Sequence, residues 1–420
     1  MVKNGRPLWQ APWQFRESAL VCCGIAAAGF ALQAVIGPFD FFFLHWPGNL
    51  FILALLCIGI ALGACYGKTS FSRWLSSLPL ALCLIGALLF FSLIMGFTPQ
   101  AGGAGPGDAR LLARLGLTRV TSAWPFILLY AFTLVSLGMT IVRRFFNFSL
   151  RDYVFYLNHI GLWVVLAAAG LGAADVQRLV MHVREGETEW RVYGQGGAVL
   201  ELPLAVTLKD FAMEEYPPKL AVINMQTGRP QPEGKPLFLP ISASGPEALR
   251  GRLGVWEVSL ESYIHEAIKK GEDYVPSPMP VSTPAALVKA RNTLSGEIKR
   301  GWVCSGGSVP EFFSGLSLDG TLLLVMTRPE PRRYLSDIVV LTQDGDKIEH
   351  RLEVNKPLRV GFWNLYQYSY DSKAGKASAY SSIELVYDPW LYPVYAGVAI
   401  MLAGGVCLVW AGAGAGRARS

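Results

Sequence analysis

The chain contains five histidines and seven cysteines, the side chains best suited to hold a metal or attack a substrate. Cys22, Cys23, Cys57, Cys65, Cys83 and Cys407 fall in or near long apolar runs, and Cys304 alone lies in the polar part of the sequence. There is no Cys-x-x-Cys, so a dithiol redox role lacks its reactive pair. There is no Cys-x-x-Cys-His, so the chain is not itself a c-type cytochrome. Cys304, in GWVCSGG, reads as a small apolar residue. His182 and His350 sit in strand-like runs among charged residues, His265 follows the acidic stretch around Glu261, and no two histidines have zinc-ligand spacing. No Ser-His-Asp set, phosphate-binding loop or paired-carboxylate signature is present.

His159 and His45 are different. His159 sits in RDYVFYLNHIGLWVVLAAAGLG. A helix starting near Arg151 carries it about 12 Å from that end, at membrane depth. Ionisable residues there are costly and usually face the protein interior. A neutral imidazole at such a place ligates a haem iron, relays protons or hydrogen-bonds a neighbouring helix, and the residues alone leave these open. His45, in FFFLHWPGN, falls at a membrane interface among aromatics. There it either snorkels at the headgroups or meets the edge of a ligand such as haem.

The elements that must position these residues are apolar spans. Hydrophobic residues make up 52% of the chain and charged residues 16%, against about 25% in soluble proteins. That composition excludes both a plain cytosolic enzyme and a disordered chain. Six stretches are long enough to cross a bilayer, at residues 19–37, 48–65, 78–96, 122–142, 154–173 and 393–412. The fold class expected is an integral membrane protein with five N-terminal helices, one C-terminal helix and a mainly β domain between spans five and six. The expected divisions are a membrane domain at 1–174, a β-rich domain at 175–390, and a last helix with a short tail at 391–420.

Residues 175–390 hold 24 Lys+Arg and 27 Asp+Glu, a net of −3; the rest hold 13 and 4, a net of +9, which together give the whole-chain +6. The basic balance therefore belongs to the membrane part and is no nucleic-acid footprint. Ten basic residues flank one side of the spans: Lys3, Arg6, Arg16, Lys68, Arg73, Arg143, Arg144, Arg151, Arg417 and Arg419. The other side has three: Arg110, Arg114 and Arg119. This bias puts both termini in the cytoplasm and 175–390 outside, in a bacterium the periplasm beyond the inner membrane. Trp46, Trp124, Trp390 and Tyr392 fall at the outer interface, as aromatic belts do. Between spans three and four, Asp108 is placed to cap a short helix, ARLLARL, ending at Gly116. That helix either lies on the bilayer surface or forms an ordered turn.

Within the polar segment, Asp344-Gly345 signals a hairpin, with Ile348, His350, Leu352 and Val354 alternating against Glu349, Arg351 and Glu353. YQYSYDSKAGKASAYSSIELVYD reads as a second hairpin turning at Ser372–Lys376, and RLVMHVREGETEWRVYGQGGAVLELPLAVTL as strands. A short helix is expected at Pro284–Asn292.

FYLNHIGLW, then REGE and LPLAVTLKDFAMEEYPP, resembles the ResB family of cytochrome c biogenesis proteins. The C-terminal run RRYLSDIVVL…LEVNKPLRVGFWNLYQYSYD…SSIELVYDPWLYPVYAG is the stronger part of the likeness. It carries that family's VNxPL, YQxSYD and DP blocks ahead of a last span. The resemblance extends over about residues 14–410. With five spans before the external domain, the chain is similar to the N-terminal half of fused ResB–CcsA proteins, without the CcsA half and its tryptophan-rich segment.

The resemblance implies a System II role with a CcsA-like partner. Together they move or hold haem b and present it for attachment to apocytochrome c. It makes the chain at most a subunit of a cytochrome c synthase. It also implies that a transmembrane histidine near the cytoplasmic side is a haem axial ligand, and the matching residue is His159; His45, read from its own place among aromatics at the outer interface, is the weaker candidate for a haem contact. Stable six-coordinate haem takes two axial ligands, so the second imidazole is expected from another chain. The rival reading is an extracytoplasmic ligand-sensing or substrate-capture subunit without haem, which lacks any output module. A secondary transporter is a third, for which broken helices and internal repeats are absent.

Overall fold

In the computed structural model, residues 8–66, 69–100, 109–193, 199–241, 250–279, 281–307 and 309–417 are described. Lys3, Arg6, Lys68, Asp108 and Arg419, used above for orientation and capping, lie outside them. The chain separates into two compact units, residues 1–177 with 387–420, and residues 178–386.

The first unit is helical. Six helices are long and apolar enough to cross a membrane: α1 Phe15–Ile36, α2 Gly48–Cys65, α4 Leu78–Phe97, α6 Trp124–Phe145, α7 Tyr153–Gly172 and α8 Leu391–Arg417. Two short helices, α3 Ser70–Leu75 and α5 Ala109–Arg114, lie in the connections. The chain is thus a multi-pass membrane protein with five spans before the β-rich segment and one after it. The helix starts differ from the expected spans by a few residues, because capping and polar first turns extend a helix beyond its apolar run. In α1 the Gln14 side chain and the Glu17 carboxylate form a reciprocal cap, which carries the helix back to Phe15. The ARLLARL helix forms as α5 and is followed by Gly116 in the left-handed region.

Contacts between helices follow membrane logic: small residues for close approach, and polar groups that find backbone partners. A Cβ on Gly161 would sit 2.7 Å from the Gly397 carbonyl oxygen, and one on Gly397 would sit 2.9 Å from the Gly161 carbonyl oxygen. These two glycines therefore bring α7 and α8 to backbone contact. Trp163 Nε1 donates to the Leu134 carbonyl at 3.0 Å, and the Tyr130 hydroxyl donates to the Leu166 carbonyl at 2.6 Å, tying α6 to α7.

The second unit is mainly β. Its strands are β1 Gln177–Arg184, β2 Thr188–Tyr193, β3 Val199–Glu215, β4 Lys219–Asn224, β5 Leu239–Pro240, β6 Arg250–Leu253, β7 Trp256–Lys270, β8 Asp273–Pro276 and β9 Thr283–Asn292. They continue with β10 Ile298–Cys304, β11 Leu316–Ser317, β12 Leu322–Met326, β13 Pro331–Thr342, β14 Lys347–Glu353, β15 Leu358–Val360, β16 Trp363–Tyr370 and β17 Tyr380–Tyr387. Four sheets form, in the orders β1-β17-β16-β15, β14-β13-β3-β2, β11-β12-β4-β5, and β10-β9-β7-β6 with β8 also on β7. The first two enclose one apolar core, including Met181, Val206, Leu208, Val340, Leu352 and Leu385. The other two enclose a second, including Trp256, Val258, Val288, Val303 and Leu324.

Both expected hairpins are present. Thr342 and Asp346 close the first over Gly345, whose φ is +90°, and β16 and β17 are neighbours across the second. The helix expected at Pro284–Asn292 is instead β9. This strand pairs with β7 on one side and β10 on the other, burying Ala285, Ala286, Val288 and Ala290. The run of Ala, Leu and Lys favours helix locally, but two flanking ladders and a fully buried inner face override that preference.

Candidate functional site

His159 lies on α7 six residues past Tyr153, about 9 Å along the axis. Its Nδ1 is 2.9 Å from the carbonyl oxygen of Phe155, one turn earlier. A carbonyl only accepts, so Nδ1 carries a proton and Nε2 is the ring nitrogen not engaged in this bond. The imidazole stacks on the Phe155 ring with centroids 3.9 Å apart, and the Arg144 guanidinium packs over the same ring at 4.8 Å. The half-buried imidazole is thereby held by its own helix on one nitrogen and by an aromatic ring on one face.

His45 lies at the opposite end of the bundle. It follows a short 3₁₀ turn, Phe41–Leu44, just before α2. Its Nδ1 is 3.6 Å from Asp175 Oδ1. Asp175, only 8% exposed, accepts from the Trp46 backbone N–H at 2.9 Å, Asn49 Nδ2 at 2.7 Å and Trp390 Nε1 at 2.8 Å. Burial alone would raise the Asp175 pKa, but those three donors and nearby His45 outweigh it and hold the carboxyl below its usual range. At 3.6 Å the carboxylate faces the His45 imidazole without a hydrogen bond to it. Sequence reasoning found His45 but missed Asp175, Asn49 and Trp390. The available signal was Asp175 itself, a lone acid at the end of an apolar span.

The two histidines cannot serve one iron together. From His159 to the end of α7 is thirteen residues, about 20 Å of helix, and Asp175, which faces His45, lies beyond that end. Axial nitrogens of one haem lie a few ångströms apart. Cys304 is fully buried beside Tyr274, Ala285 and Ala267, and burial raises its thiol pKa, so it is no nucleophile. His182 Nδ1 is 2.8 Å from Ser382 Oγ, a contact between strands. No cluster of three metal-ligating side chains occurs among the described residues.

In the β unit, several motif residues turn out to hold the fold. Asn355 of LEVNKPL has φ +65°, a conformation asparagine tolerates better than most residues. Gln367 of YQYSYD accepts from Ser336 Oγ at 2.6 Å and donates to Ser381 Oγ at 3.0 Å in a buried network joining β13, β16 and β17. Asp371 accepts from the backbone N–H groups of Lys373 and Ala374 and so shapes the turn of the second hairpin.

Residues 323–381 match the ResB-like family. This is the stretch that holds Asn355, Gln367 and Asp371, and the likeness to that family expected from the sequence is borne out. The match supports a role in cytochrome c biogenesis. No curated protein matches the chain. Among solved structures the chain aligns with a "Cytochrome c Heme Lyase CcmF" at 14% identity and a TM-score of 0.22, over 95% of this chain and 46% of that one. At that score the alignment establishes no common fold, and the chain spans about half the length of the protein it is aligned with.

Proposed function

We propose that this protein is the ResB-type subunit of a System II cytochrome c biogenesis complex, with haem b as its cargo. In this reading it sits in a bacterial inner membrane with both termini cytoplasmic and the β unit periplasmic. A CcsA-like membrane partner completes it, and apocytochrome c receives the haem.

The observation that carries the reading is the state of His159. Its Nδ1 is committed to the Phe155 carbonyl, so Nε2 is the nitrogen that would bind haem iron. The Phe155 ring fixes its orientation, which limits the entropy lost on ligation. Bound haem would supply the iron and the vinyl groups needed for thioether attachment, and this chain's part is to hold and orient it. Since His45 is too far away to complete the same coordination sphere, the second axial ligand is assigned to the partner. His45, with Asp175 behind it, is assigned a separate haem contact at the outer interface.

The test is His159→Ala in the co-expressed complex. The protein should remain inserted and folded, because losing one such polar contact in a membrane costs about 1–2 kcal/mol. Co-purified haem should fall to a small fraction and cytochrome c maturation should stop, with partial recovery when imidazole is added to the medium. His45→Ala should have the milder effect. Full haem occupancy and normal maturation in His159→Ala would refute the assignment.

A further inference from the structure

Beside His159, at the end of the bundle that carries Arg143 and Arg144, lies a cavity of about 440 Å³, within the range of small-molecule sites. Its walls come from the end of α6, the turn after α3 and the start of α7. Phe155, on which His159 stacks, is one of its lining residues. The cavity therefore begins one helical turn from the proposed iron ligand.

The charges lining it do not cancel. Arg144 is engaged by Asp152 at 2.8 Å. Arg143 is half-buried, and among the described residues no carboxylate pairs with it. Its Nη1 donates to the Ser72 carbonyl at 3.0 Å and to Ser76 Oγ at 2.8 Å, which fixes the guanidinium in place without neutralising it. A guanidinium has five N–H donors, so most of its bonding capacity is left over. Two arginines against one aspartate leave one positive charge. A held, partly desolvated arginine in a concave site is the usual arrangement for binding a carboxylate or phosphate.

We propose that this cavity receives the propionate carboxylates of haem, with Arg143 as their counter-charge and Arg144 as a second donor if it exchanges Asp152 for the ligand. The inference rests on the assignment of haem to His159 and gives the macrocycle a direction: propionates toward the basic end of the bundle, iron deeper, beside α7. The neutral edge of haem, with its vinyl groups, then faces away from the arginines. A phospholipid headgroup shares the anionic chemistry, and the experiment separates the two.

The full chain, co-expressed and co-purified with its CcsA-like partner, would be reconstituted in nanodiscs of neutral phosphatidylcholine and titrated with haem and with haem dimethyl ester, following the Soret band. The ester keeps the iron and loses both carboxylates. Haem should bind about tenfold more tightly than the ester to the unaltered protein, a ratio typical of losing a charge-assisted contact. Arg143→Gln should weaken haem binding by a similar factor and leave ester binding unchanged. Arg143→Lys should fall between, which guards against a folding defect. Equal affinity for haem and ester in the unaltered protein would overturn the inference, while loss of both in His159→Ala would still uphold the ligand assignment. If Arg143→Gln leaves haem binding unchanged and reduces only the anionic phospholipid that co-purifies before reconstitution, the cavity is a headgroup site and the inference fails. No Soret change in the unaltered protein would overturn both assignments.

Discussion

At the scale of single residues, the two singled-out histidines are held by different devices. His159 is held by its own helix, through the carbonyl four residues back, whereas His45 faces a carboxylate contributed from beyond the end of α7. The first arrangement follows from α-helical spacing and was legible in the sequence. The second joins residues 130 positions apart and was not, because nothing local in FFFLHWPGN points to Asp175. Asp175 also gathers three donors, of which Asn49 Nδ2 has a second acceptor in the Leu171 carbonyl at 3.4 Å. Asp175→Ala should therefore lower stability by about 3 kcal/mol, read as a lower thermal unfolding midpoint in detergent, with Asp175→Asn less affected. The sign of its pH dependence follows from the lowered pKa. The folded state favours the charged form, so the contribution is complete above the ordinary aspartate range and is lost as pH falls through the lowered pKa. The advantage of the unaltered protein over Asp175→Asn should be full at pH 7 and shrink below about pH 4. An unchanged midpoint in Asp175→Ala would show that the network is not stabilising.

At the scale of elements, apolar length alone specified the spans, and the turn at Asp344-Gly345 specified its hairpin, since both signals are local. Pro284–Asn292 was misread for the converse reason: an Ala- and Leu-containing run carries no local mark of the two strands that claim it. Helix pairing was equally unreadable. Nothing in GLW or YAGVA announces that Gly161 and Gly397 meet, yet each would place a Cβ against the other's carbonyl oxygen. Gly161→Val should force α7 and α8 apart at a cost of about 2 kcal/mol or more. Lower membrane abundance and faster digestion by added protease would register it. Gly24→Val on α1 is the control, because a Cβ there meets nothing within 4 Å, and it should behave like the unaltered protein. Equal loss in both variants would mean that valine harms any span of this protein and that the α7–α8 contact is not special.

At the scale of the whole molecule, composition carried most of the architecture. The acidic surplus of 175–390 and the basic surplus elsewhere mark off a polar β unit from a membrane unit. Which end of the bundle faces the cytoplasm rests on the basic residues at the α2–α3 and α6–α7 connections and the termini. A reporter fused after Arg419 should read cytoplasmic, and one inserted between Ser372 and Lys376 should read periplasmic. Both reporters on one side would contradict the single crossing, by α8, that lies between the two points.

Gly161 and Gly397 bring together two helices that are made far apart in time. Translation leaves α7 at Gly172 and does not reach α8 until Leu391, 219 residues later. At 5–20 residues per second that interval is on the order of 10–40 s. During it the Gly161 face of α7 has no α8 to meet and must be tolerated by lipid alone. The Phe155 contact with Arg144, by contrast, joins α7 to the helix made just before it. The helix that locks α7 in place is thus the last that the ribosome delivers.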